Sequence, residues 1–157
     1  MANRGRAGSD ASVLEPFSTR TKALAAVATG ATLLLLDLLW LGVIAAGLYD
    51  ACLGPLKSET VFWPAAVLFY SLYVGATVAW AVLGTERPSA AARRGAALGL
   101  VVYGTYELTN WAILRGWPAL LVPIDIGWGV LLTSTASLVG KLVQDMAHRD
   151  ARRGDGA

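Results

Sequence analysis

Tyr103-Gly104-Thr105-Tyr106-Glu107-Leu108-Thr109-Asn110-Trp111 sets an ionisable acid, Glu107, in the middle of a run otherwise long and apolar enough to cross a bilayer. Two other apolar runs carry one acid each. Asp37 lies in Leu36-Asp37-Leu38-Leu39-Trp40, and Asp125 lies in Ile124-Asp125-Ile126-Gly127-Trp128. No Lys or Arg occupies the interior of these runs. A carboxylate at the bilayer centre costs about 2.5–3.5 kcal/mol on insertion scales, so an intramembrane acid is first of all a candidate functional group.

Working outward, the composition agrees with a membrane setting. Of 157 residues, 55% are hydrophobic and 15% charged, where a soluble domain carries roughly a quarter charged residues. A net charge of +2 gives no footprint for nucleic acid. The one cysteine, Cys52, cannot form an internal disulfide. The one histidine, His148, lies in a charged tail, which leaves no His-based metal site, and no cofactor is expected.

Residues 1–21 are small and polar with scattered arginines, and read as a disordered basic arm. Four apolar runs follow, at 23–47, 61–84, 95–114 and 118–143. At 1.5 Å per residue, about 20 residues span the ~30 Å hydrocarbon core. Backbone inside lipid must satisfy its own hydrogen bonds, so each run is expected to be a helix. The links are short, which forces neighbours to be antiparallel. The expected fold is an all-α membrane protein, an up-down bundle of four transmembrane helices in residues 22–143. A charged cytoplasmic tail at 144–157 is expected to fray.

Basic residues give the orientation. Arg4, Arg6, Arg20 and Lys22 precede the first run, Arg87, Arg93 and Arg94 lie in the middle link, and Lys141, Arg149, Arg152 and Arg153 follow the last. Only Lys57 and Arg115 lie on the other side. This bias predicts that both termini are cytoplasmic. Trp63, Trp111 and Trp117 then fall near the outer interface and Trp80 near the inner one. The first run is about twice the 7–15-residue core of a signal peptide and contains an acid, so it is read as a retained span. Trp63-Pro64-Ala65 and Trp117-Pro118-Ala119 hint at an internal repeat, each opening a helix, with Gly75 and Gly129 at the same offset. Chance similarity between apolar helices is an equal alternative.

Several of these motifs fall in an order that resembles a known family: Asp37-Leu-Leu-Trp-Leu-Gly42, Leu53-Gly-Pro-Leu56, Trp63-Pro-Ala65, Tyr103 to Asn110, Leu114-Arg-Gly-Trp-Pro118 and Asp125-Ile-Gly-Trp-Gly129. Together they resemble the bacterial membrane proteins of domain of unknown function 2177, over about residues 22–140. That family pattern has Asp where this chain has Glu107, which keeps the charge and lengthens the arm. The resemblance implies a four-helix protein of the bacterial inner membrane. It implies no chemistry, because the family's activity is unassigned.

On the expected topology Asp37, Glu107 and Asp125 all lie in the outer half of the bilayer. Tyr103, Glu107 and Asn110 share a stripe of the third helix, with Tyr106 at its edge. Trp40 and Trp128 each follow an acid by three residues, and an indole N–H only donates. Asp37, Trp40, Tyr103, Tyr106, Glu107, Asn110, Asp125 and Trp128 are therefore the candidate binding pocket. With no buried base, some of the acids must be protonated or joined by a cation. Arg115 is a candidate partner for Asp125 across the Gly116 turn. Pro123 is read either as a kink beside that acid or, more often the case, as a tolerated proline of the first turns.

Three functions follow. The first is handling of a proton, cation or small solute through the acidic pocket, in a homodimer because four helices are few for a pathway. The second is a non-catalytic scaffold or accessory subunit in the bilayer, with the acids as a latch between helices. The third, ranked last, is a lipid-modifying enzyme. Its phosphate chemistry would want a buried cation that the bundle interior does not offer. No catalytic residue is assigned.

Overall fold

The structure is a computed structural model, and it describes residues 17–54, 58 and 60–154. The described residues form five α-helices: α1 Thr19–Leu39, α2 Ala46–Leu53, α3 Trp63–Ala76, α4 Pro88–Ile113 and α5 Leu121–Gly154. Two π-helical segments, Trp40–Ile44 and Thr77–Val82, extend α1 and α3. Their wider turns are closed by bonds from Ala45 N to Trp40 O (2.7 Å) and from Leu83 N to Val78 O (2.8 Å). No strand occurs among the described residues.

The helix ends follow local chemistry. Ser18 caps α1, its Oγ accepting from Thr21 N at 3.1 Å, which satisfies one of the orphan N–H groups of the first turn. Pro64 and Pro88 sit in the first turns of α3 and α4, where a missing N–H costs nothing. The Arg94 guanidinium donates to the carbonyls of Trp80 and Gly84, at 3.1 and 2.7 Å. It thereby closes the second π segment with a cation where the backbone dipole is negative. Gly116, with φ of +77°, makes the tight turn between α4 and α5.

Three helical stretches are long and apolar enough to cross a membrane: Thr19–Ile44, Trp63–Val82 and Leu121–Arg153. The third expected run, 95–114 inside α4, is not among them. Arg93 and Arg94, three glycines, Glu107 and Asn110 dilute its hydropathy. Burial supports a membrane setting. Thr29, Thr77, Thr133, Ser137, Glu107 and Gln144 are all fully buried, while Leu35, Leu38, Val43 and Ile113 face outward. Threonine hydroxyls reconcile themselves with this by bonding the carbonyl four residues back, as Thr29 does to Ala25 and Thr133 to Gly129.

α5 is the element on which the rest is assembled, packing along α4 and along α1. The core is Leu33, Tyr73, Leu132 and Ala136, with Leu98, Val102 and Trp128 against it. Between α4 and α5 the approach is too close for side chains. A Cβ on Gly99 would overlap the backbone of Gly129, and one on Gly95 would overlap Ser137 and the Thr133 carbonyl. The spacing of Gly95 and Gly99 therefore serves packing within the chain.

Several expectations are corrected. Beyond Val143 the chain does not fray; α5 continues to Gly154. Lys141 pairs with Asp145 at 3.0 Å, one turn on, and donates to Gln144 at 2.9 Å, while Arg152 and Arg153 stand in the last turn, where the dipole favours cations. Of the basic arm, residues 1–16 lie outside the described residues, but Thr19–Thr21 already belong to α1. Trp117-Pro118 does not open a helix; α5 starts at Leu121. Pro123 consequently lies in the first turn, where it displaces no helical hydrogen bond and imposes no kink. Trp63 and Trp111 are exposed, whereas Trp117 is buried; the next section gives the reason.

Candidate functional site

α1 carries Asp37 near its end, α4 carries Glu107, and α5 carries Asp125 in its second turn. All three are buried, at 5%, 0% and 4% exposure. Each accepts a hydrogen bond from an aromatic side chain on another element. Tyr70 on α3 donates to Asp37 Oδ2 at 2.6 Å, and Trp128 on α5 donates to Asp37 Oδ1 at 3.2 Å. Tyr49 on α2 donates to Asp125 Oδ1. Trp117 donates to Glu107 Oε2 at 2.9 Å. That bond is what draws Trp117 inward from the interface: an indole N–H reaching a buried carboxyl offsets part of its desolvation.

Glu107 and Asp125 are near enough for their carboxyls to act on one another. Glu107 Oε1 receives no N–H or O–H donor. Two ionised carboxylates so placed repel, and a proton shared between them satisfies both. Asp37 is close enough to Asp125 to act on it through space. The Tyr49 hydroxyl, at the end of the apolar run, is pushed up from the ordinary tyrosine range by burial and then by its bond to Asp125, so it serves as a donor at any physiological pH.

A cavity of about 380 Å³ opens beside these groups. Asp37, Trp40, Tyr103, Tyr106, Asp125 and Trp128, all expected from the sequence, line it. Glu107 and Asn110 do not. Glu107 lies behind Asp125. Asn110 is partly exposed and interacts with Tyr106 rather than with the acid. Trp128 bonds across to Asp37 instead of back to Asp125 on its own helix, and its ring stacks on Trp40 at 4.5 Å with 7° between planes. The Trp40 N–H leans toward Tyr49 without completing a hydrogen bond. Arg115 stands exposed on the turn, and no ion pair among the described residues joins it to Asp125.

Tyr49, Phe69, Tyr70 and Trp117 were not legible as site residues. α3 carries no acid, and the acid of α2, Asp50, lies just past the first apolar run, so attention to acids inside such runs passes over both. The available signal was Phe69-Tyr70 with Tyr73, an aromatic cluster at helical spacing in α3. Lys141 was likewise unread. It is 1% exposed, the one deeply buried base among the described residues. It lies two helical turns past Thr133 on α5, far along the helix from Asp125. No group of three or more His, Cys, Asp or Glu that could hold a metal occurs among the described residues.

Apolar helices that turn their hydroxyls and carboxyls inward define the class: an all-helical membrane protein with several candidate spans and an acid-lined internal cavity. The chain belongs to the family described as "Predicted membrane protein (DUF2177)", matched over residues 22–142. No curated protein and no solved structure matches it.

Proposed function

We propose that this is a four-span protein of the bacterial inner membrane, both termini cytoplasmic, that exchanges a proton for a cation or cationic solute in the acidic cavity. One observation carries the reading. Asp37 and Asp125 line the same cavity, Glu107 acts on Asp125, and among the described residues no basic side chain lines the cavity. A shared proton holds the Glu107–Asp125 pair at a single negative charge at rest. A cation entering beside Asp37 and Asp125 replaces that proton electrostatically, and the proton leaves, so net charge is conserved. The excess of basic residues up to the first turn of α1 and around the start of α4 supports the orientation, with the cavity in the outer half of the bilayer. A homodimer is the expected working form.

The test is proton release on adding cations to the protein in lipid nanodiscs. Wild type should release protons in a saturable, pH-dependent way, and Glu107→Gln and Asp125→Asn should not. A wild type that shows no pH-dependent binding or flux overturns the reading.

A second reading has its own support. Each acid is bonded by a different element, α2 and α3 included, as a latch would be. If the acids are only a latch, Glu107→Gln lowers stability and any cellular phenotype follows the amount of protein. An abundant, folded and inactive Glu107→Gln rejects it.

A further inference from the structure

We infer that the occupant of the cavity is an organic ammonium ion, held by aromatic faces as well as by carboxylates. This inference rests on reading the cavity as a cation site and names the class of cation. The chain has six Trp, five Tyr and three Phe. Seven of those fourteen aromatic residues line this one cavity, among eleven lining residues in all. They come from every side: Trp40 from the first π segment, Tyr49 from α2, Phe69 and Tyr70 from α3, Tyr103 from α4 and Trp128 from α5. Aromatic π faces attract cations, and most usefully those that are bulky and weakly hydrated.

The donor set is poor for a metal ion. A hard cation asks for about six to eight oxygen ligands. Here both Asp37 oxygens and one Asp125 oxygen already accept aromatic O–H or N–H groups. What remains of the wall is rings, Leu41 and Val102. A neutral ligand would leave buried carboxyls without compensation, and an anion would be repelled. The volume, about 380 Å³, lies in the range of small-molecule sites of about 300–1,000 Å³, far beyond the needs of a bare ion. Fully buried Glu107 Oε1, with no N–H or O–H donor, adds negative character directly behind Asp125. An ammonium carrying apolar substituents answers all of these at once. Its charge faces Asp37 and Asp125, and its substituents face the rings.

Such an ammonium could belong to a free amine or to a lipid headgroup, and the experiment separates them. Labelled tetraethylammonium is equilibrated with the protein in phosphatidylglycerol nanodiscs, with sodium chloride as competitor. Saturable binding that equimolar sodium displaces by less than about a tenth is expected. Tyr103→Leu should weaken it about tenfold, roughly 1.4 kcal/mol, and Tyr103→Phe by less than about twofold. Tyr103 also packs on Gly129, so Phe69→Leu, at an exposed ring, is the parallel variant if Tyr103→Leu does not fold. Exchanging part of the lipid for phosphatidylcholine then assigns the source: displacement marks a headgroup, and unchanged binding a free amine. Absence of saturable tetraethylammonium binding, equal displacement by sodium, or indifference to loss of the rings overturns the inference. Proton release to sodium without tetraethylammonium binding removes the ammonium and leaves proton–cation exchange standing. Ring-dependent tetraethylammonium binding without proton release does the reverse.

Discussion

α5 has two working faces, and they are built by opposite means. Toward α4 it presents Gly129, Thr133 and Ser137 to Gly99 and Gly95, so that backbone nearly touches backbone. Toward α1 it presents Trp128 to Asp37 and Trp40, beside a wall of large rings around open space. Gly129 and Trp128 are consecutive residues. The difference shows how a small membrane protein can hold a cavity at all. Lipid tails are as apolar as leucine, so association of helices depends on close packing and polar contacts rather than on hiding apolar surface. The glycine seam supplies the close packing, and this frees the other face of the same helix to be hollow.

The largest expected effect breaks the seam. Gly99→Ala should cost about 1–3 kcal/mol, the usual range for overpacking, because its Cβ would meet the Gly129 backbone. Gly104→Ala, whose Cβ meets nothing within 4 Å, should cost nothing and can gain from helix propensity. Unfolding by sodium dodecyl sulfate in mixed micelles measures both, and equal losses would dissolve the distinction between the faces.

Next comes the junction between them. Trp117→Phe keeps the ring and removes the N–H from buried Glu107. A loss of about 1–2 kcal/mol is expected, the range for orphaning a buried acceptor, with Trp117→His partly restoring it. On the cavity side, Tyr70→Phe removes one of two donors to Asp37. The remaining Trp128 bond should hold the cost near about 1 kcal/mol, read by the same titration. Smallest is Phe69→Leu. Its ring is exposed and borders open space, so its stability should change by less than about 1 kcal/mol. A drop comparable to that of Gly99→Ala would mean that the cavity wall is as tightly packed as the seam.

Much of this was legible in the sequence. Apolar runs and Trp63-Pro64 led to helices, and six of the eight residues grouped around the acids line one cavity. What was not legible depends on direction rather than composition. That Trp128 bonds Asp37 and not Asp125 is decided by how α1 lies on α5, which no spacing along one helix encodes. Trp117 reads as an interfacial anchor, because nothing local shows that Glu107 lies within reach. The acids themselves directed attention away from α2 and α3, whose contribution is hydroxyls and rings. Lys141 looks like one more basic residue of a charged end, and its burial follows from Asp145 and Gln144 one turn further on.

The wide turn at Trp40–Ile44 has a consequence for how this chain tolerates length changes. A π segment is an α-helix holding one residue more than its turn requires, and each residue advances a helix by about 100°. Deleting a single residue from 41–44 would let the segment relax into ordinary helix while everything downstream keeps its phase, so Tyr49 should still reach Asp125. The surplus residue is thus slack in the chain. A one-residue deletion at 47 or 48, in α2, where no such surplus exists, should instead turn Tyr49 by about 100° and strip a donor from the acid.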